Sequence, residues 1–116
     1  MSEQQRAVQD RRGLRFPFDA DAEAFLDNPP QKIPVRLTEL SFRGCYLETS
    51  ISLPLKQRLR LKLYHANEYF EALADVIYVR PNGVGALFIG LDHHSRGVLQ
   101  NWILAELDKQ AKSERP

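Results

Sequence analysis

The chain has 116 residues, which fits one domain with a modest core of its own. Hydrophobic residues make up 43% and charged residues 27%, the mix of an ordinary soluble domain. A formal net charge of +1 excludes wholesale coating of nucleic acid or anionic membrane by bulk charge, so any anion recognition is local.

The first ten residues, MSEQQRAVQD, are polar and lack the apolar segment of a secretory signal. Three arginines follow within five residues, Arg11, Arg12 and Arg15, with Gly13 among them to interrupt any helix. From Phe16 to Phe25 the pattern alternates: Phe16, Phe18, Ala20, Ala22 and Ala24 on one side, Asp19, Asp21 and Glu23 on the other. That period of two predicts a half-buried strand. Asp27-Asn28-Pro29-Pro30 is a turn signal. In KIPVRLTEL, Val35, Leu37 and Glu39 are expected on one face and Arg36, Thr38 and Leu40 on the other. A tight bend at Ser41 to Gly44 then leads to a strand through Cys45, Tyr46 and Leu47.

Ser50 to Leu55, with Pro54, reads as a connection. RLRLKLY, Arg58 to Tyr64, is the clearest alternation, with Leu59, Leu61 and Leu63 inward. A hairpin turn at His65 to Glu68 leads to a strand from Tyr69 to Arg80, rich in β-branched and aromatic residues at its end. Pro81-Asn82-Gly83 is a turn in which Asn and Gly are expected to supply positive φ. Val84 to Leu91 is the last strand. From Ser95, an expected N-cap, the spacing becomes helical and places Val98, Leu99, Trp102, Ile103, Ala105 and Leu107 on one face.

About six short strands and one helix predict a mainly β fold, a small antiparallel β-barrel with a C-terminal α-helix. The helix is expected to pack on its own barrel. Residues 1–8 read as a polar lead, 9–112 as the domain and 113–116 as a frayed tail.

Most candidates for chemistry have a plain structural reading. His93 and His94 are adjacent, so as strand-end residues they point apart and are poor joint metal ligands. Cys45 is the only cysteine, so no intrachain disulfide forms, and it reads as a small buried residue rather than a nucleophile. Gly83-Val84-Gly85 is too short for a dinucleotide fingerprint. No metal, cofactor or enzymatic activity is expected. No run of residues is long and apolar enough to span a membrane, and a cytoplasmic location is expected.

The arginine cluster is more specific. A guanidinium is a planar fork of donors that grips phosphate or the O6/N7 edge of guanine and stacks on a base. A second element, Glu39-Leu40-Ser41-Phe42-Arg43-Gly44, sets a carboxylate, a hydroxyl and a glycine at offsets zero, two and five. A carboxylate can accept from guanine N1–H and N2–H. A serine hydroxyl can bond a phosphate or base, or else its own turn backbone.

Together the two elements resemble the PilZ domain family, whose signature is RxxxR followed, after roughly twenty to thirty residues, by [D/N]xSxxG. RRGLR supplies Arg11 and Arg15, and ELSFRG supplies Ser41 and Gly44. GVGALFIGLD, Gly83 to Asp92, is similar to the glycine-containing stretch near the end of such domains. The resemblance covers about residues 9 to 110. It implies a bacterial receptor for cyclic di-GMP, in which Arg11 and Arg15 hold the ligand, Arg12 stacks or adds charge, Ser41 bonds it and Gly44 shapes the turn. Glu39 stands where the family has Asp or Asn, with a side chain one methylene longer, and Arg43 is a candidate to compensate for it.

Three readings follow. The first is a receptor that changes shape on binding cyclic di-GMP and signals to an effector protein in motility, biofilm or pilus output. It would act as a monomer or homodimer, without nucleic acid or membrane insertion. The second is a PilZ-like adaptor that has lost the ligand through Glu39 and works by protein contacts. The third, a barrel binding single-stranded nucleic acid, would need exposed aromatics along a basic groove, which the charge and composition do not favour.

Overall fold

The structure, a computed structural model, describes residues 15–113. β1 (Phe16–Asp27) buries Phe16, Phe18, Ala20 and Ala24 and turns Pro17, Asp19 and Asp21 to solvent, as its period of two requires. A two-residue turn at Asn28-Pro29 leads into β2 (Pro30–Leu40), and the Ser41–Gly44 bend into β3 (Gly44–Glu48). After a nine-residue connection that buries Leu53 come β4 (Arg58–His65) and β5 (Glu68–Arg80). The turn between these two places Ala66 and Asn67 at φ 53° and 65°, the left-handed pair that a tight hairpin needs. β6 (Gly83–Gly90) and α1 (His93–Ser113) complete the chain.

The strands pair antiparallel and close in the order β1-β2-β3-β6-β5-β4. Because β1 also pairs with β4, the sheet has no open edge. The interior is filled by residues such as Ile33, Leu37, Leu47, Leu61 and Phe70. Each such side chain taken from water contributes about 1.5–3 kcal/mol, which is why the alternating leucines of β4 fix its register.

α1 packs on β5. Trp102 stacks on Phe18 at 5.6 Å between ring centroids and meets Phe70 at 5.1 Å. The helix starts earlier than its apolar spacing predicts, and its cap is Asp92 rather than Ser95. Asp92 Oδ1 accepts the Ser95 N–H at 2.7 Å, which holds its carboxyl below the usual carboxylate range. Ser95 is buried, and its hydroxyl accepts the Glu71 N–H at 3.0 Å, tying the first helical turn to β5. His93 and His94 are therefore helical, not at a strand end. Ala105 is exposed, so the buried helix face is narrower than expected.

Two strands also change phase where alternation predicts none. In β2 the expected inward residue Glu39 gives way to Leu40, which is 1% exposed. An extra residue, Thr38, sits between the pairs Leu37–Leu47 and Glu39–Tyr46. In β5, Ile77 is extra between Val76–Ala86 and Tyr78–Gly85. Each is a β-bulge, which inserts one residue and flips every side chain after it. At Pro81-Asn82-Gly83 neither Asn82 nor Gly83 has positive φ, so that turn does not work as expected. It is held instead by the Thr49 N–H donating to the Asn82 carbonyl at 3.1 Å and by the Tyr46 hydroxyl donating to Asn82 Oδ1 at 2.5 Å.

Candidate functional site

The bend between β2 and β3 is organised by Ser41. Its hydroxyl donates to the Gly44 carbonyl at 3.2 Å and accepts the N–H groups of Arg43 at 3.2 Å and Gly44 at 3.1 Å. One proton and two lone pairs are the whole capacity of a hydroxyl, so Ser41 is saturated by its own turn. Gly44 next to it has an ordinary φ. A Cβ there would overlap the Ala86 carbonyl of β6, so glycine is needed for the close approach of two strands.

Arg15, just before β1, reaches β5, a strand that β1 does not pair with. Its guanidinium donates to the Tyr78 hydroxyl and lies 5.1 Å from the centre of the Tyr78 ring. Arg80 lies 4.9 Å from the same ring and 5.6 Å from that of Tyr46. The two tyrosine rings stack across Gly85, centroids 6.2 Å apart and 23° from parallel. A Cβ on Gly85 would overlap the Tyr78 ring, so the absence of a side chain there is what lets Tyr78 lie flat over β6.

The two bulges explain why these groups share one surface. Without Thr38 as an extra residue, Glu39 would point into the core, and without Ile77, so would Tyr78. The bulges aim both outward, and Glu39 stands opposite Tyr46 in the β2–β3 pairing. Burial pushes the Tyr46 hydroxyl above its usual value, with Arg80 opposing the shift.

Arg15, Ser41, Arg43 and Gly44 line one pocket of about 230 Å³, together with Tyr78 and Leu87. Of the residues singled out from sequence, these four meet. Glu39 lies beside them on β2, outside the pocket lining. Arg11 and Arg12 lie outside the described residues. Tyr46, Tyr78 and Arg80 were not singled out, although Gly85 was the available signal, since a glycine inside a strand marks a close approach.

Charge is divided unevenly over the barrel. Arg36 pairs with Asp19 at 2.6 Å, Arg58 with Asp75 at 3.0 Å and Arg60 with Asp27 at 2.9 Å. Among the described residues Arg15, Arg43 and Arg80 have no carboxylate partner, and all three stand at or beside the pocket. Unpaired planar cations next to aromatic faces suit a ligand that is anionic and flat. Cys45 lines the pocket floor, but burial pushes its thiol up to about 12, which leaves it protonated and unreactive. Among the described residues no group of histidine, cysteine and carboxylate side chains is arranged to hold a metal ion. No helix among the described residues is long and apolar enough to cross a membrane.

Residues 9–105 match the family described as PilZ domain. No curated protein matches the chain by sequence. Among solved structures, the chain is similar to the PilZ domain of CeSA from a cellulose-synthesizing bacterium. That match has 12% identity and a TM-score of 0.65, and covers 79% of this chain and 96% of the other. It is similar to YcgR from Escherichia coli, solved in complex with c-di-GMP, at 18% identity and a TM-score of 0.68, covering 88% and 49%. It is also similar to the Bacillus subtilis inhibitor of motility, MotI/DgrA, at 14% identity and a TM-score of 0.69, covering 88% and 52%. The chain thus spans about half the length of the last two, and at these identities the likeness is one of fold.

Proposed function

This chain belongs to the PilZ domain family, and on that premise we propose that it is a receptor for cyclic di-GMP that signals to an effector protein. The observation that carries the reading is the meeting of Arg15 with Arg43, Ser41 and Gly44 around one pocket, although Arg15 precedes the bend by some twenty-five residues. The ligand is a dianion with two flat bases. Arg15 and Arg43 offer bidentate donors to phosphate or a guanine edge, and Glu39 offers an acceptor for guanine N1–H and N2–H. Ser41 acts by positioning: its three turn bonds hold Arg43 and Gly44 in place.

The pocket is small for a dinucleotide, since sites that enclose a drug-sized ligand run to about 300–1,000 Å³. Arg11 and Arg12 would supply the missing contacts, and drawing them to the ligand would remake the surface around Arg15. YcgR, whose structure contains c-di-GMP, supports the choice of ligand by likeness of fold.

Titration calorimetry of the full chain with cyclic di-GMP, with GMP as control, gives affinity and stoichiometry together. Binding that is much tighter than to GMP and weakened by Arg15→Ala supports the reading. Binding no tighter than to GMP, or indifferent to Arg15→Ala, overturns it. The adaptor reading then takes its place, favoured by the longer side chain of Glu39 and the saturated hydroxyl of Ser41.

A further inference from the structure

The outer face of β5 and β6 is unusually apolar for a barrel exterior. Leu73, Ile77, Leu87 and Ile89 are 38%, 47%, 37% and 42% exposed. They are contiguous. Ile77 and Leu87 line the Arg15 pocket, Leu87 and Ile89 share the next groove with Phe42 and Gly90, and Leu73 stands opposite Gly90 in the β5–β6 pairing. Asp75 faces Leu87 across the strands but is engaged by Arg58. Arg43 and Arg96 form the rim of the groove, and neither has a carboxylate partner among the described residues.

We propose that this face docks a partner protein through an amphipathic helix whose apolar side chains meet Leu87 and Ile89 and whose carboxylates meet Arg43 and Arg96. A contiguous apolar patch rimmed by charge is the usual mark of a protein contact. Charge complementarity sets the sign: two unpaired guanidinium groups at the rim favour an acidic partner. Closure of the barrel sets the mode. With no open sheet edge, a strand cannot be added, so the partner lays side chains on the face.

Two other occupants fit less well. Residues 1–14 carry three arginines against two carboxylates, the wrong balance for this rim. A second copy using the same face would set Arg43 and Arg96 against their own equivalents. The proposal rests on Leu87, Ile89 and Arg96, and so stands on Arg96 alone at the rim when cyclic di-GMP in the neighbouring pocket engages Arg43.

The probe is a displayed library of helical peptides about 16 residues long, long enough to hold a helix. Each carries an apolar stripe and randomised charge elsewhere. Peptides selected on the full chain are measured by fluorescence anisotropy against wild type, Arg96→Ala, Leu87→Asp and Ile89→Asp, with circular dichroism melts to confirm folding. The expected peptides are rich in Asp and Glu, and each variant weakens them by about tenfold or more. Three results overturn the proposal: no enriched peptide, peptides without net negative charge, or binding that the folded variants leave unchanged. Tighter peptide binding by Val8→Asp/Leu14→Asp would assign the face to residues 1–14 instead. A homodimer abolished by Leu87→Asp would assign it to a second copy. Either overturns it as well.

Discussion

Arg15 and Tyr78 are 63 residues apart in sequence, yet the guanidinium of one lies over the ring of the other and donates to its hydroxyl. Tyr78 thus acts as a plate that holds Arg15 at the pocket, where the proposed ligand would meet it. Side-chain ordering is part of the cost of binding, and a pre-set arginine avoids some of it. An exposed cation–π contact contributes about 0.5–1 kcal/mol and the hydrogen bond about 1 kcal/mol. Tyr78→Ala is therefore expected to weaken cyclic di-GMP binding by about tenfold, and Tyr78→Phe, which keeps the ring, by about fivefold. Calorimetry decides between them: equal losses would show that the ring contributes nothing beyond its hydroxyl.

Ser41 separates a structural from a ligand-binding role. Replacing it by alanine leaves the N–H groups of Arg43 and Gly44 without the hydroxyl that accepts them in the bend. An unsatisfied buried donor costs about 1–3 kcal/mol, so Ser41→Ala should lower the midpoint of urea unfolding by that equivalent. Ligand affinity should fall too, because Arg43 loses its anchor. A variant as stable as wild type that has lost the ligand would contradict the positioning role and make Ser41 a direct contact.

Glu39 carries the acceptor chemistry proposed for a guanine. Glu39→Gln keeps the length of the side chain but replaces one acceptor oxygen with a donor that faces guanine N–H groups. The expected loss in cyclic di-GMP affinity is about tenfold, the cost of one misplaced hydrogen bond at a partly buried site. Glu39→Asp, which restores the family's carboxylate, should bind at least as tightly as wild type. Unchanged binding by Glu39→Gln would remove Glu39 from the site.

Alternation alone was enough to place β1 and β4, because Phe16 to Ala24 and Leu59 to Leu63 keep strict phase along strands with one wet face. It failed at Glu39, where a bulge reverses the phase, and a second bulge turns Tyr78 outward. A bulge is a property of two strands in register, and one strand's sequence does not contain it. The same limit hid the stack of Tyr46, Tyr78 and Arg80, whose members lie on two strands and meet across a third. The Ser41–Gly44 bend was legible because its bonds are local, within four residues. Asp92 was passed over as the cap because the apolar spacing of α1 begins only at Val98, a turn after the helix itself.

Cys45 offers a test of how closed the pocket floor is. Its side chain lies between β2 and β6 and is 8% exposed, and burial alone pushes the thiol up to about 12 from about 9. The thiolate is the nucleophile, so at pH 8 the folded protein should react with a thiol reagent such as Ellman's only as fast as it opens. The sign for stability follows. A thiol raised in the folded state contributes fully below its unfolded value near 9, and that contribution is lost as the pH climbs toward 12. Cys45→Ala should therefore lose less stability than wild type over that alkaline interval in urea melts. Labelling is then the sharper readout at neutral pH: adding urea through the unfolding transition should release one thiol per chain in step with loss of the circular dichroism signal. Rapid labelling of the folded protein would mean that the pocket opens down to the strand beneath Arg15, and that its floor is not the closed surface drawn by β3 and β6.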